Sequence, residues 1–164
     1  MAFRLVSSGG NVNDPAVVNI RCSGTVHPGE VVEFSRTSGA GVYPASDSST
    51  VTNIFGVCLD YAQGASDKEV RIIPFTLDQI WEADCVGVAS TANVGMRFAL
   101  DRQRATLAIN NIPVGTDSRT ATAIFRVIAM SSATTGSGKV LGIFRRAGDS
   151  GGSDLFSTTE NAAW

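Results

Sequence analysis

Residues 54–75 read IFGVCLDYAQGASDKEVRIIPF, and this stretch decides the predicted fold class. Residues 50–60 are rich in β-branched and apolar side chains, residues 61–68 form a polar loop, and residues 69–74 return to an apolar pattern. β-Branched and aromatic residues favour strands, and a polar segment that contains glycine is typical of a turn. The stretch therefore predicts two strands joined by a turn.

The same pattern continues on both sides of this stretch. Turn signals such as His27-Pro28-Gly29-Glu30 recur at intervals of roughly 8–12 residues, which is typical of a sandwich or barrel. Residues 120–130 are the strongest run, apolar on both faces except at Arg126, as expected of a strand buried on two sides. Further strands are predicted at residues 16–22, 31–34 and 42–43, in two short pieces within 98–110, and at 140–145.

One short helix is predicted near residues 76–84. Thr76 is a suitable N-cap, and Leu77, Ile80 and Trp81 lie at helical spacing. The overall prediction is an all-β protein, a small antiparallel β-barrel or β-tulip-like domain. Its predicted parts are an N-terminal arm (1–15), a barrel core (16–130) and a Gly/Ser-rich C-terminal arm (131–164).

Both predicted arms carry large hydrophobic residues. These are Phe3, Leu5, Phe156 and Trp164. Buried aromatic residues dominate the energetics of many interfaces, so these four are candidate anchors for docking on a neighbouring subunit. The alternative, equally open, is that Trp164 folds back on its own domain.

Composition excludes several classes of protein. Hydrophobic residues make up 43% of the 164-residue chain, which argues against disorder, and the net charge of −2 without a basic block argues against nucleic-acid binding. No apolar run approaches the roughly 20 residues of a membrane span, and the N-terminus lacks the apolar core of a secretory signal.

The three cysteines are widely spaced and lack a C-x-x-C pair, so buried free thiols are expected. We expect a soluble protein synthesised in the cytosol.

Gly148-Asp149-Ser150-Gly151-Gly152 matches the sequence around the nucleophilic serine of chymotrypsin-like proteases. The single histidine, His27, precedes it, and the acidic residues between them give the order that such a triad requires; the candidates are Asp60, Asp84 and Asp101. However, His27 lies in a predicted turn, and the pentapeptide runs into a polar Gly/Ser-rich tail rather than an apolar strand. A catalytic triad is therefore not expected.

Two other catalytic patterns also fail. Gly136-Ser137-Gly138-Lys139 lacks the flanking glycine and hydroxyl residue of a phosphate-binding loop, since the chain has Ala133 and Val140 there. A catalytic carboxylate pair would have to come from scattered aspartates such as Asp60, Asp67 and Asp84, each of which lies beside turn residues, where Asp normally serves as a turn former. The sequence predicts a protein that is not an enzyme and that binds no cofactor or metal.

Residues 26 to about 100 resemble the capsid decoration (cement, or head-stabilisation) proteins of tailed bacteriophages. The motifs are Val26-x-Pro28-Gly29-x-Val31-Val32, Val42-x-Pro44-Ala45-Ser46, the run from Ile54 to Asp67, and Val70-Arg71-Ile72-Ile73-Pro74-Phe75. The resemblance implies a non-enzymatic β-barrel or β-tulip on the outer capsid surface, commonly a homotrimer, which bridges capsomers of the major capsid protein. It implies location in the virion and no nucleic-acid or membrane partner. The alternatives are another phage structural module, such as a head fibre or tail component, and the small serine protease.

Overall fold

The computed structural model describes residues 3–8, 15–34, 41–46, 49–50, 52–63, 68–76, 78–85, 89–101, 108–109, 123–131 and 138–144. The strands are β1 (Phe3–Ser8), β2 (Val18–Cys22), β3 (Val31–Phe34), β4 (Val42–Pro44), β5 (Ile54–Cys58), β6 (Lys68–Pro74), β7 (Gln79–Asp84), β8 (Arg97–Phe98), β9 (Leu100–Asp101), β10 (Ala108–Ile109), β11 (Phe125–Met130) and β12 (Lys139–Phe144). A short 3-10 helix, Thr91–Asn93, precedes β8. The predicted all-β class is confirmed.

Strands β2 to β6 form a closed barrel in the order β2-β4-β3-β5-β6. Four of its five pairings are antiparallel, and β2 pairs with β4 in parallel through Cys22 and Val42. Closure leaves the barrel without a free edge, which removes a site for uncontrolled strand pairing. The predicted antiparallel barrel is therefore present, with one parallel contact where it closes.

A second, five-stranded antiparallel sheet has the order β1-β7-β12-β11-β8. The chain enters this sheet with β1, leaves it to build the barrel, and returns to it with β7. A separate two-stranded ladder joins β9 and β10. The first and the last described strands, β1 and β12, therefore lie in the same sheet, on either side of β7.

The barrel and the sheet share a hydrophobic layer. On β3, Val31 faces the core formed with the sheet, whereas Val32 faces the barrel interior. In the same way, Val57 on β5 and Ile73 on β6 belong to the core formed with the sheet, whereas Cys58 and Ile72 belong to the barrel interior. Strands buried on both faces need consecutive apolar residues rather than alternation, which explains the Val-Val, Val-Cys and Ile-Ile pairs.

The predicted helix near residues 76–84 is wrong, because residues 79–84 form strand β7. Gln79, Trp81 and Ala83 are buried and the residues between them are half-buried, a period of two. The backbone amide of Thr76 donates to Oε1 of Gln79 over 3.0 Å, which satisfies a buried polar side chain and continues the turn. Pairing with β1 and β12 on either side then fixes the extended backbone.

Parts of both predicted arms lie within the sheet. Residues 3–8 pair with β7 as an edge strand, and residues 139–144 form a central strand between β7 and β11. These segments join the folded core because they bury apolar side chains there, among them Phe3, Val140 and Phe144. Residues 9–14 and 145–164 lie outside the described residues.

Candidate interaction sites

The first site is the edge of the sheet where β1 pairs with β7. Phe3 lies opposite Ala83, Arg4 opposite Glu82 and Leu5 opposite Trp81. The register then shifts between Leu5 and Ser7, which leaves Val6 as an extra residue in β1. A bulge of this kind fixes register, because a slip of one residue would turn Phe3 away from the core.

Phe3 inserts into a cluster of aromatic rings, which we call the aromatic cluster; its members are Phe3, Phe75, Trp81, Phe125 and Phe144. The ring of Phe3 is centred 5.6 Å from that of Phe125 and 5.1 Å from that of Phe144. Phe144 also stacks on Phe75 at 3.9 Å and meets Trp81 edge-on at 6.0 Å. Offset and edge-to-face pairs at such spacings are favourable beyond their burial alone.

On the opposite face of the same strands, Glu82 is the centre of a polar network. Its carboxylate accepts a hydrogen bond from Ser131 and lies 3.2 Å from the guanidinium of Arg4 and 3.4 Å from Nζ of Lys139. The hydrogen bond from Ser131 lowers the pKa of Glu82 most, and the hydrogen bond and charge of Lys139 and the charge of Arg4 lower it further. The β1–β7 pair is thus apolar on one face and charge-paired on the other.

The second site is an exposed aromatic pair on the barrel. Phe34, the last residue of β3, is 47% exposed, and its ring is centred 4.4 Å from that of the half-buried Phe55. The backbone amide of Phe34 donates to the carbonyl of Asn53, which holds this strand end in place. An exposed ring that is already fixed by a neighbour loses little entropy on binding, so Phe34 is a candidate contact residue.

The third site is the turn at residues 27–30. Glu30 is buried, accepts a hydrogen bond from the backbone amide of His27 over 2.9 Å, and lies 3.4 Å from its Nδ1. The His27 ring packs against the exposed Tyr61 at 5.2 Å. In the same turn, the amide of Gly29 donates to the carbonyl of Cys58, and the carbonyl of Gly29 accepts from the amide of Phe3. This turn therefore links the barrel to strand β1.

Two of the three acidic residues considered for a protease triad, Asp60 and Asp84, have cationic partners of their own. Asp60 binds Arg71 through its backbone amide and its guanidinium, at 2.8 and 2.7 Å, and these hydrogen bonds lower the pKa of Asp60. Asp84 lies 3.4 Å from Nζ of Lys139. The side chain of Asp101 and all of Ser150 lie outside the part of the chain that the structure describes, as does most of the predicted phosphate-loop motif.

The three cysteines are free thiols; Cys22 and Cys58 are buried, as predicted, whereas Cys85 is half-buried. Burial raises the pKa of Cys22, and it raises the pKa of Cys58 to about 11 and that of Cys85 to about 12. Thiols held in the protonated form are weak nucleophiles. Across the described ranges, no group of three His, Cys, Asp or Glu residues is arranged to hold a metal ion, and no helix is long and apolar enough to cross a membrane.

Of the four predicted interface residues, the structure places two. Phe3 is 1% exposed and belongs to the hydrophobic core of its own chain, and the half-buried Leu5 packs against the same core. Phe156 and Trp164 lie outside the described residues. The sequence reasoning missed the exposed Phe34, although its position at the end of an apolar run and before a Ser/Gly-rich stretch was a visible signal.

Comparison with known proteins finds similarity among solved structures but not among family models or curated proteins. Among solved structures, the chain is similar to the crystal structure of the head fiber gp8.5 N base in bacteriophage phi29. The sequence identity is 12%, the match covers 82% of this chain and 97% of that chain, and the TM-score is 0.48.

Proposed function

We propose that this protein is a structural protein of a tailed-bacteriophage head that binds the outer surface of the icosahedral capsid. In this proposal it bridges capsomers of the major capsid protein, acts as a homotrimer and stabilises the shell in the virion. The observation that carries the proposal is the resemblance of residues 26 to about 100 to capsid decoration proteins.

The position of these residues in the fold supports the proposal. They supply β3, β4, β5 and β6, four of the five strands of the closed barrel, and the turn at 27–30 that leads into β3. A closed barrel of this size is the fold that the resemblance implies. The Pro-Gly turn and the apolar runs that follow it are therefore the residues that build the barrel.

The composition of the chain suits a protein that works by adhesion to a lattice. Only two of the 164 residues, Lys68 and Lys139, are lysines, and charged residues make up 17%. Long flexible charged side chains are depleted from interfaces because fixing them costs entropy. Many modest contacts repeated over one shell add up through avidity, and a protein that binds only the assembled lattice stabilises that state by linkage.

Binding to DNA-free expanded capsid shells tests the proposal directly. The purified protein is mixed with shells and analysed by size-exclusion chromatography with light scattering. We expect co-elution at a high and saturable copy number, together with an increase in the temperature at which the shell dissociates. Absence of binding would overturn the proposal, and binding at a few copies per particle would replace it with a tail or fibre component.

The C-terminal residues Phe156 and Trp164 remain predicted anchors in this scheme. Deletion of residues 147–164, or the double substitution Phe156→Ala and Trp164→Ala, should lower shell occupancy while the far-ultraviolet circular dichroism of the fold stays unchanged. Ser150→Ala is the matched control within the same segment and should leave occupancy unchanged. Equal occupancy for all of these variants would contradict docking through this segment.

We also propose that the protein is not an enzyme and requires no cofactor. His27 lies 3.4 Å from Glu30 in a turn, and Asp60 is bound to Arg71. A peptidase assay on denatured casein, run with wild-type protein and with Ser150→Ala, should give no hydrolysis above buffer for either. Hydrolysis by the wild type that Ser150→Ala abolishes would establish the protease alternative instead.

A further inference from the structure

We draw no further inference here: the strongest candidate, the surface patch formed by the exposed Phe34 and the half-buried Phe55 where strand β3 of the barrel ends, carries no proposal, because nothing in the part of the chain that the structure describes shows what covers it.

Discussion

Replacing Phe3 with alanine removes a ring that is 1% exposed and that contacts two other rings of the aromatic cluster. Truncation of a fully buried phenylalanine typically costs about 3–5 kcal/mol, because both transfer free energy and packing are lost. In a chain of this length each kcal/mol lowers the melting temperature by roughly 2–4 °C, so the expected decrease is on the order of 6–20 °C.

Phe34→Ala is the matched control, because it makes the same chemical change at a side chain that is 47% exposed. Its ring loses the contact with Phe55 and part of its burial, and we expect a cost of about 1–2 kcal/mol. Urea denaturation of wild type and both variants, followed by circular dichroism, gives the free energy of unfolding for each. Variants that share one m-value can be compared by their midpoints.

The same experiment separates two structural descriptions of the N-terminus. If residues 1–15 formed an arm free of the domain, Phe3→Ala would leave the free energy of unfolding unchanged. If β1 is part of the sheet, Phe3→Ala must cost clearly more than Phe34→Ala. Equal midpoints for the two variants would refute the placement of Phe3 in the core.

Three further predictions follow from the packing and the titrating groups. A Cβ at Gly142 would overlap atoms of the neighbouring strand β11, whereas one at Gly95 would meet no atom within 4 Å but would hold an unfavourable φ of +89°. We expect Gly142→Ala to cost about 3 kcal/mol or more and Gly95→Ala about 1 kcal/mol in urea denaturation; the reverse order would contradict the close β11–β12 contact. The hydrogen bonds from Arg71 lower the pKa of Asp60 in the folded state, so their stabilisation is present above the ordinary aspartate pKa and is lost as the pH falls through the lowered value. Asp60→Asn should therefore be less stable than wild type at neutral pH, and the difference should shrink in acid; a constant difference in thermal midpoint from pH 7 to pH 2 would rule this out. Finally, burial raises the pKa of all three thiols, so Ellman's reagent should react slowly with the native protein and should titrate three thiols in urea; rapid reaction without denaturant would show that these side chains are accessible.

The barrel was largely predictable because its signals are local. The turn at 27–30 leads into β3, and the two apolar runs around the loop after Asp60 became β5 and β6. Each of these signals lies within a few residues of the strand that it starts or ends. The consecutive apolar residues of these strands, however, reveal only that both faces are buried, and not which element lies on each face.

The sheet was less predictable because its partners are distant in sequence. Phe3 pairs with Ala83, which is distant in the sequence. The sequence of residues 1–15 by itself does not distinguish a strand docked in a sheet from a free arm. β7 was hidden because the buried position Gln79 is polar and Ala83 is small, so Ile80 and Trp81 matched a helical spacing more visibly than an alternating one. The site that receives β1 has the same origin: Phe125 and Phe144 come together through strand pairing and not through a motif.

The interleaved order of the strands has a consequence for how the chain acquires its structure. All five barrel strands lie between β1 and β7, and β12, which pairs with both β7 and β11, ends at Phe144. During synthesis, the barrel strands β2 to β6 are therefore complete before strand β12, which completes the sheet, has been made. Until then, the outward-facing Val31, Val57 and Ile73 lack the sheet that covers them. Non-local pairings of this kind slow folding, so we expect the barrel to form first and the sheet to close in a later, slower phase during which the nascent protein is most prone to aggregate.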